Sequence, residues 1–88
     1  MTEETREVRV KRLRIRSWRR GIKEMDLILG GYADAELSRL DGDGLDLFEA
    51  VLGENDHDLF GWVTGQEAPP ARYAPLILEL SRRAALAR

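Results

Sequence analysis

The strongest helical pattern of the chain lies in residues 22–40, which read IKEMDLILGGYADAELSRL. Apolar residues recur there at steps of three and four, the spacing that places them on one face of an α-helix. The positions on that face are Ile22, Met25, Leu29, Tyr32, Ala33, Leu37 and Leu40. The pattern predicts a core helix over residues 22–39. Gly30 and Gly31 interrupt it at a cost of up to ~1 kcal/mol each relative to alanine, so we expect a close helix crossing or a kink there.

A helix is also predicted on the amino-terminal side, over residues 6–20. Steps of seven, three and four from Val8 through Ile15 and Trp18 to Ile22 favour this helix. An alternation typical of a strand is present as well, in Val8, Val10, Leu13 and Ile15. No partner strand is evident elsewhere, and in so short a chain we expect most apolar side chains to serve the core. Gly21 suits the left-handed position that ends a helix.

Turns divide the remainder of the chain into three further helices. Their predicted boundaries are 43–52, 55–63 and 73–87. The turn DGDG precedes the first of them, with Asp43 as its N-cap, while Asn55 or Asp56 caps the second. Two consecutive prolines break the chain before the last helix. The sequence therefore predicts an all-α, five-helix bundle that forms a single domain over residues 1–88, with residues 1–5 expected to be flexible.

Composition excludes several classes of protein. The chain has 88 residues, which suffice for one small domain. It has no cysteine, which excludes disulfides, thiolate metal sites and cysteine nucleophiles, and it has one histidine. No apolar run approaches the roughly 18 residues that span a bilayer, and the acidic start MTEETREV lacks the layout of a secretory signal. We therefore expect a cytoplasmic chain that does not contact membranes.

Charge is segregated along the chain, although the formal net charge is -2. Residues 1–23 carry a net charge of +6, residues 24–67 a net charge of -11, and residues 68–88 a net charge of +3. A basic arm that includes a tryptophan can bind nucleic acid. Because the acidic middle of the chain can neutralise the basic segment within the fold, we expect no nucleic-acid partner.

No cluster of residues predicts catalysis or a metal site. Residues 41–52 have the length of a calcium loop, but the sixth position lacks glycine and the twelfth lacks glutamate. His57 lies between Asp56 and Asp58, where helix capping and the helix dipole explain both aspartates. No second histidine or cysteine supports a metal, and no nucleophile is matched to His57. We therefore predict a protein that is not an enzyme and that binds no metal.

A charged corner between the first two predicted helices is the strongest candidate site. Its residues are Arg19, Arg20, Gly21, Glu24 and Asp26. Two guanidinium groups lie just before a glycine turn and two carboxylates just after it, so we expect all four groups to be close together and exposed. The rigid donor fork of arginine suits the carboxylates and backbone carbonyls of a partner. The alternative is a structural corner, in which the charges stabilise helix ends and the glycine is a C-cap.

The corner and a second motif resemble a known family. Residues 20–24 read RGIKE and match the R-G-x-x-E signature of the SdhE-type FAD assembly factors, the flavinators of succinate dehydrogenase. Residues 56–62 read DHDLFGW and resemble the D-x-D-L-F-x-W stretch of that family. The order of the segments and the proline-containing linker agree too, and the resemblance covers roughly residues 12–84.

The resemblance implies a five-helix bundle without catalytic activity that binds the flavoprotein subunit of succinate dehydrogenase. Members of the family promote covalent attachment of FAD to a histidine of that subunit. The FAD would belong to the client, and no cofactor is expected to bind this chain stably. By the same resemblance, Arg20 would bond client carbonyls or carboxylates, Gly21 would let the two backbones approach closely, and Glu24 would hold Arg20 or a client donor. Further candidates are Asp26, Arg19 and Trp18.

The resemblance leaves part of the partner set open. Fumarate reductase is a second candidate client, and we expect the free chain to be a monomer. Relatives described as antitoxins offer an alternative function, that of a regulatory interaction protein in a toxin–antitoxin pair.

Overall fold

The computed structural model describes residues 4–86, with side chains for residues 4–84, and contains five α-helices joined by short connections. The helices are α1 (Arg6–Ser17), α2 (Lys23–Glu36), α3 (Gly42–Leu52), α4 (Asp56–Val63) and α5 (Ala74–Leu86), and a 3₁₀ turn, Leu37–Arg39, follows α2. The residues described form no strand. The prediction of an all-α, five-helix, single-domain fold is therefore confirmed. The predicted flexibility of residues 1–3 and the predicted last helical residue, Ala87, lie outside the described residues.

Three of the helices begin at a polar side chain that caps their amino terminus. The caps are Thr5 for α1, Asp41 for α3 and Asn55 for α4. Each side-chain oxygen accepts a backbone N–H from two or three residues later, at 2.8–3.2 Å. These bonds satisfy first-turn donors that have no partner inside the helix. The prediction that Asp43 caps α3 is wrong, because Asp41 takes the N-cap position and α3 begins at Gly42.

The first helix ends at Ser17, three residues before its predicted boundary. The Ser17 hydroxyl donates to the Leu13 carbonyl at 2.7 Å. The next two N–H groups bond three residues back, a 3₁₀ pattern that tightens the last turn. Gly21 is therefore not the C-cap of α1. It lies inside the connection 18–22, where its φ of +90° belongs to the left-handed region that favours glycine.

The apolar face of α2 forms the middle of the hydrophobic core. Its buried side chains are Met25, Leu29, Tyr32 and Ala33, and the buried Leu37 of the following 3₁₀ turn continues this face, as the sequence pattern predicts. The Tyr32 ring stacks on Phe48 of α3 with ring centroids 5.4 Å apart. Around this centre the core is completed by Leu13, Leu45, Val51, Leu52, Leu59, Val63, Tyr73, Leu76, Ile77 and Leu80. Burying a large apolar side chain stabilises a fold by about 1.5–3 kcal/mol, so this cluster dominates the favourable part of the folding free energy.

Close packing against α2 explains one of its two glycines. The Trp18 indole lies against Gly30, where a Cβ would stand 2.3 Å from two ring carbons. The sequence predicts either a close helix crossing or a kink at the glycine pair. At Gly30 the structure shows close packing, in this case by the Trp18 ring. A Cβ on Gly31 would meet nothing within 4 Å, and nothing in the structure explains that glycine.

The orientation of α1 differs from the one its sequence pattern suggests. Val8, Ile15 and Trp18 are exposed, whereas Leu13 faces the core. Arg9 lies on the same side as Leu13 and pairs with carboxylates of α3. These ion pairs and the burial of Leu13 together fix the rotation of α1, and the apolar pattern that the sequence assigns to the core lies on the outside.

Candidate functional site

The connection between α1 and α2 places Arg20 against the end of α3 and the start of α4. Its Nε donates to Asp56 Oδ1 at 2.8 Å, one terminal nitrogen donates to the Leu52 carbonyl, and the other donates to the Glu54 carbonyl at 2.7 Å. Leu52 is the last residue of α3, so no backbone N–H of that helix donates to its carbonyl. The Arg20 side chain is only 11% exposed. Arg20 is therefore a clamp that ties the corner to the α3–α4 connection.

The predicted outward orientation of Arg20 is therefore wrong. A guanidinium fork beside a glycine turn could bind the carbonyls of a partner. In the fold, two carbonyls and a carboxylate of the same chain, 32 to 36 residues away, occupy that fork instead. For Arg20 the alternative interpretation applies, in which the corner charges stabilise helix ends.

Asp26 is held inside the corner as well. Its Oδ1 accepts the backbone N–H of Arg20 at 2.6 Å, and the residue is half-buried. The bond satisfies a backbone donor that belongs to no helix and fixes the chain just before Gly21. Asp26 thus shapes the corner, and its contact with a partner stays a prediction.

The remaining predicted residues of the corner reach solvent. Arg19, Gly21 and Glu24 are exposed, and so is Lys23. The hydrogen bonds of Arg20 all go to other residues, so Glu24 does not hold Arg20, the first of its two predicted roles. A Cβ on Gly21 would meet nothing within 4 Å, so its positive φ and not crowding requires glycine here. The corner presents an open glycine flanked by Arg19 and Glu24.

The ion pair between Arg20 and Asp56 joins the two sequence motifs in space. Asp56 opens α4 and is the first residue of DHDLFGW. The sequence suggested helix capping and the helix dipole as reasons for this aspartate, and it did not indicate the contact with Arg20. Opposite charges in two motifs of one family are a usable signal of such a contact. Later in this motif Leu59 is buried, and Trp62 packs on Tyr73 with ring centroids 5.9 Å apart. The second motif therefore anchors the corner to the core.

A further hydrogen bond extends the clamp towards α5. The Tyr73 hydroxyl, one residue before α5, donates to Glu54 Oε2 at 2.8 Å, and the Glu54 carbonyl accepts from Arg20. The hydrogen bond to the Glu54 carboxylate, followed by burial, raises the pKa of Tyr73. The corner is thus connected through the α3–α4 connection to the last helix.

Basic side chains of α1 pair with acidic side chains of the same chain. Arg9 contacts Glu49 at 2.9 Å, and Arg12 contacts Glu49 at 3.2 Å and Glu4 at 2.7 Å. The hydrogen bond from Arg12 is the main cause that lowers the pKa of Glu49, and the bonds to Glu4 and Glu49 raise the pKa of Arg12. The predicted neutralisation of the basic segment by acidic residues is found at these positions.

The part of the chain that the structure describes holds no group of three or more His, Cys, Asp or Glu side chains placed to bind a metal. His57 is exposed in the first turn of α4. Among the helices of residues 4–86, none combines the length and the apolar character needed to cross a membrane.

Comparison with known proteins identifies relatives of this chain. A family profile described as flavinator of succinate dehydrogenase matches residues 11–84. Proteins named succinate dehydrogenase assembly factor 2, mitochondrial, are 41% identical over 71 residues in Mycosarcoma maydis, 37% over 68 in Arabidopsis thaliana and 36% over 72 in Schizosaccharomyces japonicus. The matches cover 81%, 77% and 82% of this chain but 30%, 36% and 50% of those relatives. The chain thus spans half or less of the length of these relatives.

The relatives overturn one prediction. They are named as mitochondrial proteins, so the predicted cytoplasmic location is wrong. That prediction rested on the lack of a secretory signal and of an apolar segment. Such a lack does not distinguish between compartments, since mitochondrial transit peptides are amphipathic and not apolar.

Proposed function

Because the chain belongs to the family of flavinators of succinate dehydrogenase, we propose that it is an assembly factor that binds the flavoprotein subunit of that enzyme and promotes covalent attachment of FAD to it. The observation that carries the proposal is the geometry of the corner. The Arg20–Asp56 ion pair joins the two family motifs, and beside it Gly21 and Glu24 lie open to solvent.

The corner acts in this proposal as a rigid docking element. Arg20 and Asp26 are bonded to their own chain, so the backbone around Gly21 is fixed before the client arrives. Binding then loses less conformational entropy than the docking of a mobile loop would. The open space at Gly21 lets a client backbone approach closely, and Arg19 and Glu24 supply a donor and an acceptor for client groups.

The chemistry of flavin attachment belongs to the client and to FAD in this proposal. The chain supplies no catalytic group and holds no FAD of its own. Its role is to hold the client so that the flavin meets the accepting histidine and water is excluded, which is catalysis by positioning. The free chain is a monomer, and fumarate reductase is a second client to test. The relatives reported above are all named assembly factors, so the antitoxin alternative is not carried further.

The test measures covalent flavin in the succinate dehydrogenase subunit, as fluorescence on a denaturing gel, in cells that lack this gene. The wild-type chain is expected to restore the signal, and Glu24→Ala is expected to lose most of that restoration while the thermal unfolding midpoint stays unchanged. Glu7→Ala is the matched control, since Glu7 is also an exposed glutamate in the first turn of a helix. Because Glu7 also lies beside Val8, Asp43→Ala is a second control: Asp43 is an exposed carboxylate in the first turn of α3, outside the corner. The Asp43 variant is expected to restore the signal fully.

Two results would contradict the proposal: full flavin attachment in cells without the gene, or full restoration by Glu24→Ala. The same gel, probed for the flavoprotein subunit of fumarate reductase, decides whether that enzyme is a client.

A further inference from the structure

The outer face of α1, together with the residue that follows it, carries an apolar stripe that the described part of the chain covers only in part. Val8, Ile15 and Trp18 are 54%, 46% and 39% exposed. They are seven and three residues apart, so the 3.6-residue turn of an α-helix aligns them on one side. Leu13 and Ser17 are fully buried and mark the opposite side. We call Val8, Ile15 and Trp18 the outer stripe.

Two cations accompany the outer stripe and remain exposed. Lys11 lies one turn from both Val8 and Ile15, and Arg19 directly follows Trp18. Neither side chain forms a hydrogen bond or ion pair within residues 4–84, whereas the arginines facing α3 are paired. The exposed Glu7 also lies beside Val8, so these three charged side chains give this side of α1 a net charge of +1. A surface that complements the outer stripe therefore combines apolar side chains with net negative charge.

The outer stripe runs directly into the docking corner. Trp18 and Arg19 are the two residues before Arg20, so the stripe and the corner share one edge of the molecule. The Trp18 ring is held in place by its contact with Gly30 and by a bond from Nε1 to Asp34 Oδ1 at 3.4 Å. Its position is thus fixed although part of the ring is exposed, as in an aromatic anchor of an interface.

On the basis of the proposed function, we propose that the outer stripe is a second docking surface for the same client. It would contact a patch of the flavoprotein subunit in which carboxylates surround apolar side chains. The corner would then set the position of the client, and the stripe would supply apolar contact area and attraction between opposite charges.

A second copy of this chain fits the outer stripe less well than an acidic client. In a symmetric dimer the patch meets its own copy, so two surfaces with the same net positive charge would face each other. Like charges placed across an interface cost binding free energy. An anionic bilayer is the other occupant with suitable charge, and the experiment includes it as a separate outcome.

The experiment measures the affinity of the full chain for the purified flavoprotein subunit by titration calorimetry. The double variant Val8→Gln/Ile15→Gln is expected to bind about tenfold or more weakly, because it removes two anchors of the interface. Its unfolding midpoint is expected to stay unchanged, since both side chains are exposed. Leu78→Gln is the matched control: Leu78 is 61% exposed on α5, away from the stripe, and its replacement is expected to leave the affinity unchanged.

A charge variant tests the same surface independently. Lys11→Glu is expected to weaken binding several-fold and to reduce the loss of affinity that salt causes in the wild type. If the double variant unfolds, this variant decides, because it leaves the apolar side chains in place.

The possible outcomes separate this inference from the proposed function. If the wild-type chain binds and both stripe variants bind equally well, the inference is overturned and the proposed function stands. If the wild-type chain does not bind the subunit, both are overturned. Two further results would assign the outer stripe to another occupant, provided that the stripe variants bind the subunit as well as the wild type does. One is a dimer of the wild-type chain that the double variant abolishes. The other is flotation of the wild-type chain on phosphatidylserine vesicles that the double variant abolishes.

Discussion

At the residue scale, the guanidinium of Arg20 satisfies three acceptors at once, in a site where little water reaches it. Truncating such a group leaves the Glu54 carbonyl and the Asp56 carboxylate without their donor, and leaves the Leu52 carbonyl with only a long bond from Arg16 at 3.4 Å. Unpaired groups in partly buried sites are costly. The consequence reaches the corner, because the same residue carries the backbone N–H that Asp26 accepts. Stability and docking geometry are thus coupled at one side chain.

Replacement of Arg20 is therefore expected to destabilise the fold as well as the corner. Arg20→Ala should lower the free energy of unfolding by roughly 2–4 kcal/mol, measured by urea denaturation. Arg19→Ala, at the exposed neighbouring arginine, should change it by no more than about 0.5 kcal/mol. Combining Arg20→Ala with Asp56→Asn should cost less than the sum of the single variants, by about 1 kcal/mol, because the two residues share one ion pair. Strict additivity would show that the pair does not contribute.

The two glycines of α2 provide a second prediction, because only one of them is crowded. Gly30→Ala should displace Trp18 and lower the free energy of unfolding by about 1–3 kcal/mol, whereas Gly31→Ala should raise it by up to about 1 kcal/mol. In a Trp62→Phe background Trp18 is the remaining tryptophan. A red shift of its fluorescence in Gly30→Ala, but not in Gly31→Ala, would report that the Trp18 ring has moved. Equal effects of the two substitutions on stability would contradict the packing described here.

At the scale of helices, α1 is held to α3 by ion pairs and to α2 by packing. Glu49 accepts from both Arg9 and Arg12, and the pKa of its carboxylate is lowered mainly by the hydrogen bond from Arg12. A carboxylate with a lowered pKa in the fold takes up a proton less readily there than in the unfolded chain. Its contribution to stability is present above its ordinary value of 4.5 and is lost as the pH falls below it.

Acid should therefore weaken the attachment of α1 to α3. Between about pH 7 and about pH 3.5, Glu49→Gln should lose less free energy of unfolding than the wild type, by about 0.5–1 kcal/mol, since solvent screens this partly exposed cluster. Urea denaturation at the two pH values measures the difference. Glu7→Gln, which removes an exposed glutamate of α1 outside these ion pairs, should lose as much as the wild type. An identical pH dependence of the Glu49 variant and the wild type would exclude this role.

Local sequence signals predicted the helices well, because the start, end and apolar face of a helix depend on residues that are close in sequence. The stripe in residues 22–40 gave the buried face of α2, and Asn55 was one of the two residues predicted to cap α4. Local sequence signals could not predict which side of α1 is buried. Apolar residues lie on both sides of that helix, and the choice between them depends on ion pairs to α3 that are formed across 37 to 40 residues of chain.

At the scale of the whole molecule, the candidate site is assembled from segments that are distant in sequence. The resemblance to the family located the corner and the second motif, but it did not show that they touch. Arg20 and Asp56 are 36 residues apart, and no local pattern predicts a contact of that range. The exposed positions of Arg19 and Glu24 were predicted, whereas the buried clamp beside them required the fold.

The proposed function requires the corner to be the surface that meets the client. Hydrogen–deuterium exchange of the chain, alone and bound to the flavoprotein subunit, tests this directly. The first-turn amides of α2 have no acceptor inside the helix, so their exchange responds strongly to a partner. We expect slower exchange over residues 18–27 in the complex and unchanged exchange in the linker 64–72. Unchanged exchange over residues 18–27, with slower exchange at another surface, would contradict the proposed docking at the corner.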